Sequence, residues 1–343
     1  MTLGILMAGL SDPYALSDLA VKAEKLGFSD VWIADERFYR EVYSLLTLIA
    51  TKTEKINIGP CVTDPYSRHP ALTAMAIHTL DDISRGRAIL GLGAGVSGFA
   101  EMGVERAKPA KAIREAIELI RKLSTGEETT YEGEIVKFKA GKLGFKPSRT
   151  DLPIWVASNG PLGQDMAGAH ADAIIMEGCG NAEEAAALRQ RIDRAAVKAG
   201  RDPKSVKCIA RLNLAISDDG AEAVDALRLR TARTLASGRT HFETLARQGL
   251  VLSEEVKAKV AHVAYNAGAA PYEIIKSDVT DAMVRAISLC GTPAEIRDQL
   301  EGLFAAGING VIVSIIPAKG YDVPQTMVRF TTEVWLAVKG NLK

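Results

Sequence analysis

With 343 residues and 42 basic side chains balanced by 42 acidic ones, the chain can bury a large core and carries no net charge to draw it to a polyanion, which disfavours a nucleic-acid partner. At 47% hydrophobic and 24% charged residues, with no apolar run near the roughly 18 residues of a membrane span, it reads as a soluble globular protein with no membrane partner. The four cysteines, Cys61, Cys179, Cys208 and Cys290, form no C-x-x-C pair, so neither a disulfide framework nor a zinc ribbon is expected.

The opening MTLGILMAGLSDP has no basic leader and no small-residue cleavage site, so a cytoplasmic location is expected. Leu3 to Ala8 is a short apolar strand, and Asp12-Pro13 then supplies an N-cap and a proline for the first helical position. Leu16, Leu19, Ala20, Ala23 and Leu26 follow at helical spacing, and Gly27 stops the helix. The pattern repeats: strand 29–35, helix 41–53, strand 56–62, a helix from His69-Pro70 to Gly86, strand 87–93 and a helix from Pro109 to about Ser124. Strand 153–158, a helix from Pro161, strand 171–177, helix 181–199, strand 206–217 and a last strand 309–316 complete the series.

Eight short strands, apolar throughout rather than alternating, suit a parallel sheet buried on both faces, and eight βα units are the count of a (β/α)8 TIM barrel. One such domain is expected over 1–343. Two stretches break the rhythm: 127–147 alternates with period two and reads as an inserted β-hairpin, and 218–290 is Ala- and Arg-rich with a helical pattern. Inserts in βα loops surround the mouth of a barrel, as substrate walls or a subunit interface, so a homodimer or higher homo-oligomer is expected.

Active-site groups of a barrel lie at the C-terminal ends of its strands. Here these are Met7 to Gly9, Ala34 to Arg37, Gly59 to Thr63, Gly91 to Gly95, Ala157 to Gly160, Glu177 to Gly180, Arg211 to Asn213 and Ser314 to Pro317. None of them forms an H-x-H or H-E-x-x-H pattern, none is a lysine, and the chain has no G-x-S-x-G elbow. A metal site, a Schiff-base aldolase and a serine hydrolase are disfavoured.

Gly93 to Gly98 matches G-x-G-x-x-G, but it follows the fourth strand and no helix opens on it, so it reads as a glycine-lined loop that lets a planar ligand approach the backbone. Ser158-Asn159-Gly160-Pro161 ends a strand where a helix begins, a place for a phosphate or for a plain N-cap. Asp35, Glu36 and Arg37 after the second strand are a catalytic cluster or a loop ion pair.

Residues 41–95 carry G-P-x-V-T-D-P-Y-x-R-H-P (59–70), T-L-D-x-x-S-x-G-R (79–87) and G-L-G-A-G (91–95). These motifs resemble the luciferase-like flavin-dependent oxidoreductases, nearest to the deazaflavin-dependent methylene-tetrahydromethanopterin reductases. The likeness continues through SNGP (158–161) and GTPAEI (291–296). It implies a barrel that binds FMN or the deazaflavin coenzyme F420 across its mouth and exchanges a hydride with a small-molecule substrate, a methylene-tetrahydropterin among the candidates.

The same resemblance implies Asp35 and Glu36 as the catalytic pair, with Met7 and Thr63 beside the ring. It implies a cis Cys61-Val62 peptide forming a backbone bulge behind the ring. Gly93, Ala94, Gly95, Ser158, Asn159 and Gly160 would hold the tail and phosphate, with Glu177 and Gly178 completing the cofactor site. The chain departs from those reductases at Leu6, Glu36 and Val96, where they carry a glutamate, a histidine and an aspartate. An FMN-dependent monooxygenase is the alternative activity, and a non-catalytic flavin-binding barrel is the alternative of another class, toward which Leu6 and Val96 lean.

Overall fold

Short apolar runs become parallel strands here because helices cover one face of each and the other closes on itself. The computed structural model describes residues 1–95, 97–237, 243–264 and 267–341. Its strands are β1 (Thr2–Ala8), β2 (Asp30–Ala34), β3 (Asn57–Pro60), β4 (Leu90–Leu92), β5 (Thr129–Glu132), β6 (Lys137–Gly141), β7 (Ile154–Ala157), β8 (Ala173–Glu177), β9 (Lys207–Ile216), β10 (Ser288–Gly291) and β11 (Gly310–Ile315). The lateral order is β3-β2-β1-β11-β9-β8-β7-β4, with every neighbouring pair parallel. Bridges Ile58–Ala88 and Thr63–Leu92 join β3 to β4, so the ring closes as a (β/α)8 barrel.

Outside it lie α1 (Pro13–Lys25), α2 (Val42–Lys52), α3 (Pro70–Ser84), α4 (Pro109–Leu123), α5 (Pro161–His170), α6 (Ala182–Lys198) and α7 (Gly220–Ala236), with a further helix over Pro293–Ala305. α1, α3, α4 and α5 each open on a proline, whose fixed φ suits the first helical turn. Asp12 caps α1 by accepting from the backbone N–H of Tyr14 and of Ala15, each at 3.0 Å. Among the described residues, no helix is long and apolar enough to cross a membrane.

Strand alternation sorts the core into two layers. Leu3, Ile5 and Met7 of β1 face outward into the shell between strands and helices, whereas Leu6 packs inside the barrel with Trp32, Ile89, Trp155, Ile175, Ile209 and Ile312. The Trp32 and Trp155 ring centroids lie 5.0 Å apart. Glycine is required beside them: a Cβ on Gly59 would stand 2.0 Å from the Ile89 carbonyl oxygen and 3.0 Å from the Trp32 ring.

The hairpin expected within 127–147 is the antiparallel pair β5–β6. The stretch 218–290 differs from the expected helical pattern at its end, because Ser288–Gly291 is a strand, β10, that pairs in parallel with Asn213–Ile216 of β9. Four residues are too few to show a period of two, and Gly291 at φ 141° marks the turn out of it.

The S-x-G-R motif proves to be structural. The Arg87 guanidinium donates to the carbonyl oxygens of Ser84 and Ile56 at 2.7 Å and of Ala50 and Thr53 at 2.9 Å, which ties α2 and α3 to the start of β4. Asp81, of the longer T-L-D-x-x-S-x-G-R run, is buried and pairs with Arg149 at 2.7 Å.

Candidate active site at the barrel mouth

A cavity of about 550 Å³ opens at the C-terminal ends of the strands. From the strand order, Asp35 after β2 lies across the ring from Glu177 of β8, and Cys61 after β3 lies across from Arg211 of β9. All four line the cavity, together with Leu6, Glu36, Arg37, Val62, Gly93, Ala94, Gly95, Arg106, Ser158, Asn159 and Gly160. A smaller cavity of about 350 Å³ lies at the opposite pole, where Asp30 accepts from Asn57 Nδ2 at 2.8 Å. Its polar groups bond to one another, as befits the stabilising face of a barrel.

Most of the site residues expected from the sequence meet at this mouth, and three do not line it. Met7 points into the outer core, because β1 alternates and Leu6 takes the inward position. Thr63 is wholly buried behind the wall, where its N–H and C=O extend the bridge to β4. Gly178 sits one step outside, at φ 74°, where its N–H donates to the Arg211 carbonyl oxygen at 2.9 Å. Val96 lies outside the described residues.

Asp35 directly follows β2, whose first four residues are buried. Desolvation pushes its carboxyl group above the usual range, and the neighbouring Thr63, Arg68 and Arg37 work against that rise. Neither arginine is its salt-bridge partner: Arg37 pairs with Asp64 at 2.8 Å, and Arg68 with Glu41 at 3.0 Å. Arg37 also donates to the Ser97 carbonyl oxygen at 2.8 Å and stacks 4.6 Å from the centre of the Phe99 ring, so it holds the glycine loop in place. Glu36 accepts from the Ser97 hydroxyl.

The Cys61-Val62 peptide is cis, in agreement with the expectation. Gly93 packs on it, since a Cβ there would come 2.4 Å from Val62 Cγ2. Burial pushes the Cys61 thiol up to about 12, so it is a neutral wall rather than a nucleophile. Iodoacetamide at pH 8 is therefore expected to leave Cys61 unmodified in the folded protein while alkylating it in urea. Peptide mass mapping that finds Cys61 alkylated as readily in both would contradict this environment.

At the other side, Gly160 stands at the N-cap of α5 and supplies no side-chain cap. Leu162 and Gly163 follow Pro161, so their N–H groups are among those a helix start leaves without an intrahelical partner. The Asn159 side chain is committed elsewhere, donating to the Glu177 carbonyl oxygen at 2.8 Å and accepting from the Glu177 N–H at 3.0 Å. It clamps β7 to β8 and leaves the backbone to face the cavity. The Ser158 hydroxyl leans over the helix start, where a Cβ on Gly163 would stand 2.1 Å from its oxygen.

Two further cations line the cavity: Arg211, which stood among the strand-end candidates without an assigned role, and Arg106, which the sequence did not single out. Arg211 pairs with Glu177, the residue beside it in register on β8. Its signal was a charge inside the apolar strand KCIARLNLAI, at an inward position two residues from Ile209. Arg106 donates to the Gly95 carbonyl oxygen at 2.7 Å from a loop that carries no periodic signal.

The model of the luciferase-like monooxygenase family matches residues 5–310. The chain belongs to this family. Among characterised members, the 5,10-methylenetetrahydromethanopterin reductase of Archaeoglobus fulgidus is 36% identical over 87% of this chain and 89% of its own. The enzyme of the same name from Methanolobus tindarius is 34% identical over 91% of this chain and 93% of its own. The solved structure of a coenzyme F420 dependent tetrahydromethanopterin reductase from Methanopyrus kandleri superposes with a TM-score of 0.83 at 27% identity, covering 98% and 99% of the two chains. The luciferase-like barrel, its mouth cavity and the uncapped start of α5 therefore occur together in one chain.

Proposed function

We propose that this protein is an oxidoreductase that binds the deazaflavin coenzyme F420, or FMN in its place, across the barrel mouth and transfers a hydride between it and a small organic substrate. The relatives' names point to a methylene-tetrahydropterin as the substrate class. The observation that carries the reading is one cavity with an apolar backbone wall at Cys61-Val62 and an open helix start at Ser158 to Gly160.

The residues present fit such a group. Leu6, Cys61, Val62 and the bare backbone of Gly93 and Gly95 offer largely apolar lining, and the first turn of α5 offers N–H groups and a dipole to a phosphate. When bound, the ring supplies the atom that accepts or donates the hydride. The chain's own work is then to fix the ring against the Cys61-Val62 wall, to exclude water and to hold a proton at the Asp35 carboxyl group.

Titration of the purified protein with coenzyme F420 and with FMN tests the reading, using Gly160→Leu as the control. Gly160 has φ −85° and ψ 148°, ordinary backbone for any residue, so the variant is expected to fold with an unchanged Tm. Its side chain would cover the helix start and weaken cofactor binding at least about tenfold, or about 1.4 kcal/mol. Equal dissociation constants for the two proteins would remove the phosphate from this place.

A further inference from the structure

Inside an apolar barrel a charge persists only where other groups hold it. Arg211 of β9 stands two residues beyond Ile209, which packs in the barrel interior, and lines the mouth cavity beside its register partner, Glu177 of β8. The two side chains form an ion pair, and Arg211 Nη2 also donates to the Ser314 hydroxyl oxygen of β11 at 3.4 Å. Their backbones are fixed as well. The Asn159 side chain holds the Glu177 N–H at 3.0 Å and its carbonyl oxygen at 2.8 Å, and the Arg211 carbonyl oxygen accepts from the Gly178 N–H at 2.9 Å. A donor and an acceptor are thus set side by side on one wall. The Arg211 side chain is 20% exposed and the Glu177 side chain 41%, so a ligand in the cavity reaches both.

That wall faces Cys61-Val62, since β9 and β3 stand opposite each other in the strand order. After burial, which dominates, the charges that act on the Cys61 thiol are those of Arg211 and Glu177, so the field of the pair crosses the cavity to this wall. A planar cofactor ring resting on Cys61-Val62 leaves its other face toward β8 and β9, the side from which a substrate approaches. The pair is neutral as a unit. A carboxylate or phosphate drawn to Arg211 meets the Glu177 charge beside it, whereas an uncharged group with a carbonyl oxygen next to N–H donors satisfies both. A guanidinium carries five N–H donors, so engagement by Glu177 does not exhaust it.

We propose that Arg211 and Glu177 are specificity-determining residues that receive the substrate as a neutral nitrogen heterocycle with an amide-like edge, Arg211 donating to its carbonyl oxygen and Glu177 accepting from its N–H groups. The 2-amino-4-oxo edge of a pterin is of this class. The inference rests on the proposed function and deepens it, and it gives Glu177 to the substrate rather than to the cofactor.

Calorimetry of methylene-tetrahydromethanopterin binding to protein loaded with oxidised coenzyme F420 tests it, because the oxidised coenzyme has no hydride to give. Gln at 177 keeps an acceptor for Arg211, and the Glu177 carboxylate left by Arg211→Gln is open to water, so Glu177→Gln and Arg211→Gln are both expected to fold with the wild-type Tm. Each variant is expected to weaken pterin binding at least about tenfold while keeping the dissociation constant for the coenzyme within about twofold. In turnover the same variants are expected to raise KM for the pterin about tenfold and to keep kcat within about threefold, the pattern of lost uniform binding. Wild-type pterin affinity in either folded variant overturns the proposal, as does a wild-type protein that binds the coenzyme and no pterin. Coenzyme affinity lost in step with pterin affinity returns the pair to the cofactor and overturns it too. A wild-type protein that binds neither coenzyme F420 nor FMN refutes the functional reading itself, a failure seen in the coenzyme titration before any pterin is added.

Discussion

Replacing Asp64 with alanine is expected to destabilise the protein by about 3 to 5 kcal/mol and to loosen the glycine loop at the cavity rim. Asp64 is 0% exposed and accepts from Arg37 at 2.8 Å, from the N–H groups of Tyr66 and Ser67 at 2.8 Å and from the Ser67 hydroxyl at 2.6 Å. Its removal leaves the Arg37 side chain, 8% exposed, as a buried cation without a counter-charge. The same arginine shapes the loop that follows β4: a Cβ on Gly98 would stand 2.5 Å from Arg37 Cβ, and one on Gly95 2.7 Å from Arg37 Nη2. A urea unfolding series measures the loss, and a change below about 1 kcal/mol would mean that water reaches the pair.

The second large effect is on turnover. Asp35→Asn is expected to lower kcat by about a hundredfold, the lower end of what a positioned acid or base supplies, while the Tm at neutral pH does not fall. The sign follows from the direction of the shift. Burial raises the folded-state value of Asp35 above the unfolded one, so the folded state holds this proton to higher pH. The group's contribution to stability is greatest below its unfolded value and is lost as pH climbs through the folded one. At neutral pH the neutral asparagine is therefore no worse for the fold than the carboxylate it replaces. A lowered Tm with normal kcat per folded molecule would make Asp35 a structural residue instead.

The barrel was legible because its signals are local. Prolines at 13, 70, 109 and 161 open four helices, and strands separated by helices admit few topologies. β10 was hidden because four residues between helical segments carry no period. The site was legible to the level of strand ends and no further. Which of two neighbours faces inward depends on register, and there the expectation of Met7 gave way to Leu6.

Partnership was the least visible. The reading of Asp35, Glu36 and Arg37 as one cluster could not foresee Asp64, whose place beside Arg37 is set by the turn through Tyr66 and Ser67. The Asn159 side chain likewise stood where a phosphate ligand would be sought, and the pairing of β7 with β8 uses it as a clamp. The run T-L-D-x-x-S-x-G-R carried part of the resemblance and little chemistry, because Arg87 spends its donors on backbone carbonyls at the base of β4.

The most direct measurement of the central claim is hydride transfer itself. Reduced coenzyme F420, deuterated at its transferring carbon, is mixed with the protein and methylene-tetrahydromethanopterin in ordinary water, and the product is analysed by mass. The account predicts deuterium in the product and oxidised coenzyme in equal amount, both lost in step in Asp35→Asn. A wild-type protein that binds the coenzyme and leaves it reduced, or a product whose new hydrogen comes from the solvent, would contradict it.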